Sequence, residues 1–335
     1  MSATGKLSIY SDDTDRWRLI EGDALEILKL TPSRSIDALV VDPPYNLSFA
    51  GNAWDGKAIR EAVDGTGERL SPNEAFARWT RDWATEARRV LKPGGHLVAF
   101  GAPRTVHALT RGCEEAGLEI RDQLLWLYAQ GMPKSRLLPG GLGTSLKPAY
   151  EPILLARAPL ESTTPRNVQA WGTGALNIDA ALVDGRWPAH AVLSHAERCT
   201  DAECTADCPA RVLEQQREGL SRMFFCAKAT RAEREAGLDQ FPARMARLYT
   251  GDGRPSRVRR NVHPTVKPLG VMAWLVRLVT PPGGTVLDPF TGSGSTGAAA
   301  LLEGRRFLGI EREPDYVDIA CARLTHWAHE AKGAS

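Results

Sequence analysis

Residues 36–47 read Ile-Asp-Ala-Leu-Val-Val-Asp-Pro-Pro-Tyr-Asn-Leu, an apolar run that ends abruptly in an acid, two prolines and an aromatic residue. The β-branched, apolar run at 36–41 predicts a buried strand. Proline fixes φ and has no N–H, so the strand must end at a stiff corner. We expect this corner to present the Asp42 carboxylate, the Pro43 carbonyl and the face of Tyr45. Two acceptors beside an aromatic ring suit a planar amine, and an ordinary strand-to-loop turn is the alternative.

The sequence around this stretch alternates between candidate strands and candidate helices, which is typical of a parallel sheet with crossover helices. Strands are predicted at residues 17–20, 36–41, 96–100, 118–128, 150–156, 285–287 and 307–310. Helices are predicted at residues 24–30, 72–90, 104–116, 269–279, 295–302 and 314–327. Residues 46–70 lack periodicity and are predicted to form a loop, in which Trp54 either packs internally or closes over a ligand.

This alternation stops after Pro159 and resumes at Val262, so we predict three segments along the chain. Residues 1–159 form the first half of an α/β domain, residues 160–261 an inserted region, and residues 262–335 the second half. The end of the insertion, from residue 228 to residue 260, is rich in Lys and Arg. Such charge suits contacts to nucleic-acid phosphates, and a solvated surface is the alternative.

Bulk composition narrows the class of protein only in part. A net charge of +2 over 335 residues is too small to identify a nucleic-acid partner by itself. No apolar stretch is long enough to span a bilayer, and no signal peptide precedes the first strand, so a cytoplasmic protein without a membrane partner is expected. Six cysteines in a chain of this length predict reduced thiols and no disulfide scaffold.

A group of metal-ligating residue types lies inside the insertion. Its members are His195, Cys199, Cys204 and Cys208. Their spacings are open to a zinc site, but they contain no Cys-x-x-Cys pair, and ordinary free thiols are the alternative.

A second decisive stretch is Val286-Leu287-Asp288-Pro289-Phe290-Thr291-Gly292-Ser293-Gly294-Ser295-Thr296, which predicts a strand, a glycine-rich turn and a helix start. The two glycines permit positive φ and close approach of a ligand, and the helix start offers free N–H groups to an anion. The stretch lacks the Lys of a phosphate-binding loop and the full glycine spacing of dinucleotide folds, so both are disfavoured. Glu311 ends the next strand, where an acid would accept hydrogen bonds from ribose hydroxyls. A surface Glu that caps the following helix is the alternative.

Three motifs in this order, Asp42-Pro43-Pro44-Tyr45, His263-Pro264-Thr265-Val266-Lys267-Pro268 and the glycine-rich stretch, resemble the beta group of DNA amino-methyltransferases. That family methylates adenine N6 or cytosine N4. The resemblance covers nearly the whole chain, and several long segments also resemble phage or prophage methyltransferases. It implies a circularly permuted, Rossmann-like methyltransferase fold in which N-terminal strands complete the C-terminal ones. It also implies double-stranded DNA as partner and a restriction-modification type of enzyme, with a homodimer left open.

The resemblance also assigns roles to individual residues. The implied catalytic residues are Asp42, Pro43, Pro44 and Tyr45. The residues implied to hold S-adenosylmethionine are Asp23, His263, Lys267, Asp288, Phe290, Gly292, Gly294 and Glu311. Within this set, Asp23 is expected near the adenine of the cofactor, and the motif that contains His263 and Lys267 near its methionine end.

The chemistry that follows is direct methyl transfer to a base flipped out of the duplex. Asp42 and the Pro43 carbonyl would hold the exocyclic amine while Tyr45 stacks on the base, without a covalent enzyme intermediate. In the family, Asp at this position goes mostly with adenine N6, and cytosine N4 is the alternative. C5-cytosine chemistry is rejected, because it needs a Pro-Cys pair and this pair is reversed, Cys208-Pro209. A non-catalytic DNA-binding relative and a methyltransferase for RNA or protein amides are also compatible with these motifs.

Overall fold

The computed structural model describes residues 7–48, 54–63, 70–128, 138–183, 187–193, 229–245 and 258–333, together with positions 185, 206, 208, 211, 212, 215, 224 and 225. The strands in these parts of the chain are β1 (Ile9–Ser11), β2 (Trp17–Glu21), β3 (Ile36–Val41), β4 (Leu91–Phe100), β5 (Glu119–Leu127), β6 (Tyr150–Arg157), β7 (Ala191–Leu193), β8 (Phe224–Phe225), β9 (Arg244–Met245), β10 (Val258–Arg259), β11 (Thr285–Asp288) and β12 (Arg306–Glu311). The helices are α1 (Ala24–Leu30), α2 (Lys57–Val63), α3 (Pro72–Val90), α4 (Val106–Glu115), α5 (Thr164–Trp171), α6 (Arg231–Glu235), α7 (Leu269–Val279), α8 (Ser295–Leu302) and α9 (Pro314–Gly333).

The described strands form one ten-stranded sheet in the order β1-β2-β12-β11-β3-β4-β6-β5-β7-β8, and β9 pairs separately with β10. The five consecutive strands β2, β12, β11, β3 and β4 are parallel to one another. Strand β6 is antiparallel to both β4 and β5. The N-terminal β2 therefore lies beside the C-terminal β12, which confirms the permuted α/β fold inferred from the order of the motifs.

The side chains of β3 show how the core is divided between the two faces of the sheet. All six residues of β3 are buried. Ala38 and Val40 pack into one apolar cluster, together with α7, α8 and α9. Leu39 and Val41 face the opposite cluster, which contains α1, α3 and α4. Helices on both faces explain why residues 38–41 are continuously apolar and do not alternate with polar residues.

Helix α3 begins at the residue that the sequence predicts. Ser71 accepts a hydrogen bond from the Glu74 N–H, the Glu74 side chain accepts one from the Ser71 N–H, and Pro72 takes the first helical position. This reciprocal capping satisfies N–H groups that a helix start leaves open. None of the helices in the described parts of the chain combines the length and apolarity needed to cross a bilayer.

The structure differs from the sequence expectation at two places near the site. Residues 57–63 form helix α2 inside the predicted loop, and this helix packs Ile59 and Val63 into the interior. The sequence predicts that residues 92–95 separate α3 from the next strand, but β4 already pairs with β3 at Leu91. These four residues form an irregularity within the pairing, since the next paired residue after Leu91 is His96.

Strands β7 and β8 lie within the predicted insertion and extend the main sheet beyond β5. Helix α5, from the same segment, packs against β4. Parts of residues 160–261 thus contact the α/β core directly. The boundaries of the three predicted segments remain a prediction.

Helices α3 and α4 approach closely at Gly112, which suggests a test of stability. A Cβ at this position would lie 2.5 Å from both the Ala77 carbonyl oxygen and the Thr80 Cβ. We expect Gly112→Ala to lower the free energy of unfolding by about 1–3 kcal/mol, because overpacking forces the helices apart. Denaturant unfolding monitored by circular dichroism measures this change. Gly333→Ala is the matched control, because it adds the same methyl group to a helix with nothing within 4 Å; equal midpoints for the two variants would contradict the prediction.

Candidate active site

The two motifs from opposite halves of the chain meet at one edge of the sheet. Strand β11 is parallel to β3 and directly beside it, with Val286 opposite Ala38. Their carboxyl ends therefore lie at the same edge, where open α/β sheets bind ligands. A cavity of about 330 Å³ opens there. It is lined by the corner after β3 and by the turn after β11.

Nearly all of the residues predicted for the site line this cavity. They are Asp23, Asp42, Pro43, Pro44, Tyr45, His263, Lys267, Asp288, Phe290, Gly292 and Glu311. The remaining residue, Gly294, caps the N-terminus of α8 at φ 79° and does not line the cavity wall. The structure thus brings eleven of the twelve predicted catalytic and cofactor-binding residues to one cavity.

The carboxylate of Asp42 is held by two donors. Tyr45 donates its hydroxyl hydrogen to Asp42 Oδ1 at 2.7 Å. The Lys267 ammonium donates to Asp42 Oδ2 at 2.7 Å. The Tyr45 carbonyl in turn accepts from the Thr105 hydroxyl at 2.8 Å, which fixes the backbone of the corner. An incoming amine would therefore share Asp42 with these donors or displace one of them.

Glu151 is a member of this cluster that the sequence motifs do not contain. Its Oε2 lies 3.3 Å from Lys267 Nζ and 3.1 Å from the Tyr45 hydroxyl. It reaches the site because β6 is antiparallel to β4, so β6 begins at the edge where β3 and β4 end. The signal that could have found it is an acid within the otherwise apolar run at 150–156.

Burial and charge act in opposite directions on this cluster. Burial raises the pKa of Asp42, Lys267 lowers it, and Glu151 adds to the rise. Burial also disfavours the charge on Lys267, but Asp42 and Glu151 outweigh it and raise the pKa of the ammonium. Lys267 is therefore a cation at neutral pH. In the structure the Lys267 ammonium contacts the Asp42 corner, and the place of its motif at the methionine end of the cofactor stays a prediction.

The glycine-rich turn is shaped by a close approach between Gly292 and His263. Gly292 has φ 53°, and a Cβ there would lie 2.7 Å from His263 Nε2. The His263 ring packs edge-on against Tyr316 with centroids 4.6 Å apart, and its Nδ1 accepts from the Thr265 N–H at 3.4 Å. Burial, together with the nearby cations Arg234, Lys267 and Arg323, lowers the pKa of His263 to about 3. Because its pKa is low, the His263 imidazole is neutral at physiological pH. Because the ring lies so close to Gly292, it leaves little room for a side chain there.

Two acids hold the backbone of this turn. Glu311 accepts hydrogen bonds from the N–H groups of Gly292, Arg312 and Glu313. Asp288 accepts from the Phe290 N–H at 3.0 Å and from the Thr296 hydroxyl at 2.7 Å. Burial raises the pKa of Asp288 to about 7. A carboxylate offers about four acceptor positions, so Glu311 keeps capacity for a ligand hydroxyl.

The far wall of the cavity is partly aromatic. Phe290 lies against Trp79 and Trp83, with ring centroids 5.5 and 5.4 Å away. Trp54 lines the cavity and donates a hydrogen bond to Tyr316. Asp23 caps helix α1 by accepting from the N–H groups of Leu25 and Glu26. The sequence left open whether Trp54 packs internally or closes over a ligand. In the structure Trp54 contributes to the cavity wall.

Most of the candidate zinc ligands, and part of the basic region, lie outside the described residues. His195, Cys199 and Cys204 are not described, and Cys208 is buried. Among the residues that are described, no group of three metal-ligating side chains is close enough to hold an ion. Arg234, one of the basic residues, points inward and donates to the His263 carbonyl, whereas Arg231 and Arg244 are exposed.

Comparison with known proteins places these features in a family. A model of DNA methylases of the N6 and N4 amino groups matches residues 36–322. The chain is 25% identical over 312 residues to the DNA adenine methyltransferase YhdJ of Escherichia coli strain K12, covering 93% of this chain and 83% of that protein. It is 23% identical over 312 residues to the type II methyltransferase M.HinfI of Haemophilus influenzae, and this match covers 91% of this chain and 67% of that protein.

Among solved structures, the cytosine-N4-specific PvuII DNA methyltransferase has a similar fold, with a TM-score of 0.57 at 16% sequence identity. The match covers 95% of this chain and 93% of that one. At this level of identity the likeness concerns the fold alone.

Proposed function

Since this chain belongs to the N6/N4 family of DNA methylases, we propose that it transfers a methyl group from S-adenosylmethionine to the N6 amine of adenine in double-stranded DNA. The observation that carries this proposal is the meeting of the Asp42–Tyr45 corner and the Gly292 turn in a single cavity. A methyl donor and an acceptor amine must lie side by side for direct transfer, and a shared cavity provides this proximity.

The corner after β3 supplies what an exocyclic amine needs. The Asp42 carboxylate accepts hydrogen bonds, and the preceding strand and Pro43 fix its direction. The pKa of Tyr45 is raised by burial and by Asp42, so its phenol stays neutral at physiological pH. Acceptance of amine hydrogens by Asp42 would orient the nitrogen lone pair toward the methyl group, and the Tyr45 ring would stack on the base.

The residues of the glycine-rich turn fit S-adenosylmethionine, which supplies a methyl group on a sulfonium sulfur when bound. Gly292 lines the cavity without a side chain, where a Cβ would collide with His263, and the adjoining N-terminus of α8 favours an anionic group such as a carboxylate. Glu311 would accept from ribose hydroxyls, and Asp23 and Phe290 would line the remainder. Zinc has no comparable support, because the described residues contain no cluster of ligands.

Adenine N6 is preferred over cytosine N4 on two grounds. The residue at position 42 is an Asp, the type that goes mostly with adenine in this family, and one relative that matches most of the chain is named an adenine methyltransferase.

The exposed Arg231 and Arg244 lie in the basic segment and suit phosphate contacts. A non-catalytic relative would have no need for the buried cluster of Asp42, Lys267 and Glu151.

A single assay tests both the reaction and the base. The purified protein is incubated with methyl-labelled S-adenosylmethionine and unmethylated plasmid DNA, and the digested nucleosides are separated by chromatography. We expect label in N6-methyl-2′-deoxyadenosine. Label in N4-methylcytosine would replace adenine by cytosine and keep the methyltransferase proposal. Several plasmids of different sequence are used, so that many candidate recognition sequences are present. Absence of label in all of them would overturn the proposal, and so would label only in a matched RNA.

A further inference from the structure

A buried cation lies between two carboxylates at the proposed transfer site. Lys267 Nζ is 2.7 Å from Asp42 Oδ2 and 3.3 Å from Glu151 Oε2. The side chains of Lys267, Asp42 and Glu151 are only 7%, 18% and 21% exposed. Water therefore screens these charges weakly, and each one strongly affects the others.

The Tyr45 hydroxyl repeats this arrangement. It lies 2.7 Å from Asp42 Oδ1 and 3.1 Å from Glu151 Oε2. A hydroxyl has one hydrogen to donate, so it can serve only one of these carboxylates at a time. Both donors that occupy Asp42 thus have a second acceptor within reach, and that acceptor is the same oxygen of Glu151.

The proposed reaction requires Asp42 to be ionised and to have acceptor capacity for an amine. We propose that Glu151 is a positioning residue of the methyl-transfer site, which shares Lys267 and the Tyr45 hydroxyl with Asp42 and so frees the Asp42 carboxylate for the base. Lys267 has the complementary task of keeping the Asp42 carboxylate ionised beside Glu151. This inference rests on the proposed function, and it adds a residue that none of the three motifs contains.

The signs of the electrostatic effects follow from the groups around Asp42. Lys267 faces it from the segment before α7, Glu151 from β6, and Tyr45 from the same corner. Asp288, at the end of β11, also interacts with Asp42. Removal of Glu151 leaves Lys267 to Asp42 alone and should lower the pKa of Asp42. Removal of Lys267 leaves the carboxylates facing each other and should raise it.

The decisive experiment compares the pH dependence of single-turnover DNA methylation in four proteins: the wild type, Glu151→Gln, Lys267→Met and the double variant. We expect the acid limb of the Lys267→Met profile to move to higher pH by about 1–3 units. The limb of Glu151→Gln should move to lower pH, and the double variant should return toward the wild type. Glu119→Gln is the control, since it also breaks an ion pair on the sheet, with Arg157 at 2.6 Å, but does not line the cavity.

A merely structural salt bridge would weaken activity without opposite shifts of the two single variants. The inference is overturned if Glu151→Gln and Lys267→Met move the acid limb in the same direction. It is also overturned if neither of them moves the limb more than Glu119→Gln does.

A second measurement does not depend on activity. Carbon-13 NMR of labelled Asp side chains follows the titration of Asp42 directly, with its resonance identified by Asp42→Asn. The same opposite shifts are expected, and equal titration curves in wild type and Glu151→Gln would overturn the coupling. If wild-type protein methylates no DNA, the proposed function fails, and this titration alone then decides whether Glu151 and Lys267 set the ionisation of Asp42.

Discussion

Replacement of Asp42 by alanine should lower the rate of methyl transfer by at least about 100-fold, which is the usual cost of removing a preorganised charged or polar contact to a reacting group. Asp42 directly follows β3 and lines the cavity, and its loss would leave the amine without its acceptor. The fold should survive, because Lys267 keeps Glu151 as a counter-ion at 3.3 Å. The measurement is single-turnover methylation of plasmid DNA at saturating cofactor.

The control for this prediction separates chemistry from binding. Asp122→Asn changes an exposed acid on β5 outside the cavity, and it should methylate like the wild type. Isothermal titration with S-adenosylmethionine should give nearly the same Kd for Asp42→Ala as for the wild type. Full methylation activity in Asp42→Ala would contradict the role of this carboxylate.

The substitution Gly292→Ala should raise the Kd for S-adenosylmethionine about tenfold or more, equivalent to roughly 1.4 kcal/mol or more of binding free energy. The new Cβ would lie 2.7 Å from His263 Nε2. The His263 ring has little freedom to retreat, because it packs against Tyr316 and accepts from the Thr265 N–H. The turn would therefore shift in the part of the cavity assigned to the cofactor.

Gly283→Ala is a matched control for the backbone effect. Gly283 has φ 68°, close to the 53° of Gly292, but an added Cβ would find nothing within 4 Å. Both variants carry the strain of a left-handed alanine, which costs about 1–2 kcal/mol of stability. Only Gly292→Ala should lose cofactor affinity, and equal Kd values for the two variants would show that the approach of His263 does not shape the site.

Local chemistry explains why much of the fold could be predicted. The mainly apolar run at 36–41 became β3 with the predicted bounds, and α1, α7 and α8 also have the predicted bounds. These elements depend on side-chain pattern, caps and prolines within a few residues. Helix α2 was missed because a short helix of seven residues takes its stability from packing of Ile59 and Val63, and its sequence has little periodicity.

The sequence by itself determined most of the chemical groups at the site: the Asp-Pro-Pro-Tyr corner, the glycine turn and the acid at the end of β12 are set by their immediate neighbours. Only the tertiary structure decided which of them touch. Lys267 reaches Asp42 across 225 residues of chain, and Glu151 reaches Tyr45 across 106. Strand order and direction bring these side chains to one edge of the sheet. The ionisation of Asp42 depends on those distances, because charge interactions in a buried site vary with separation in space and not with separation along the chain.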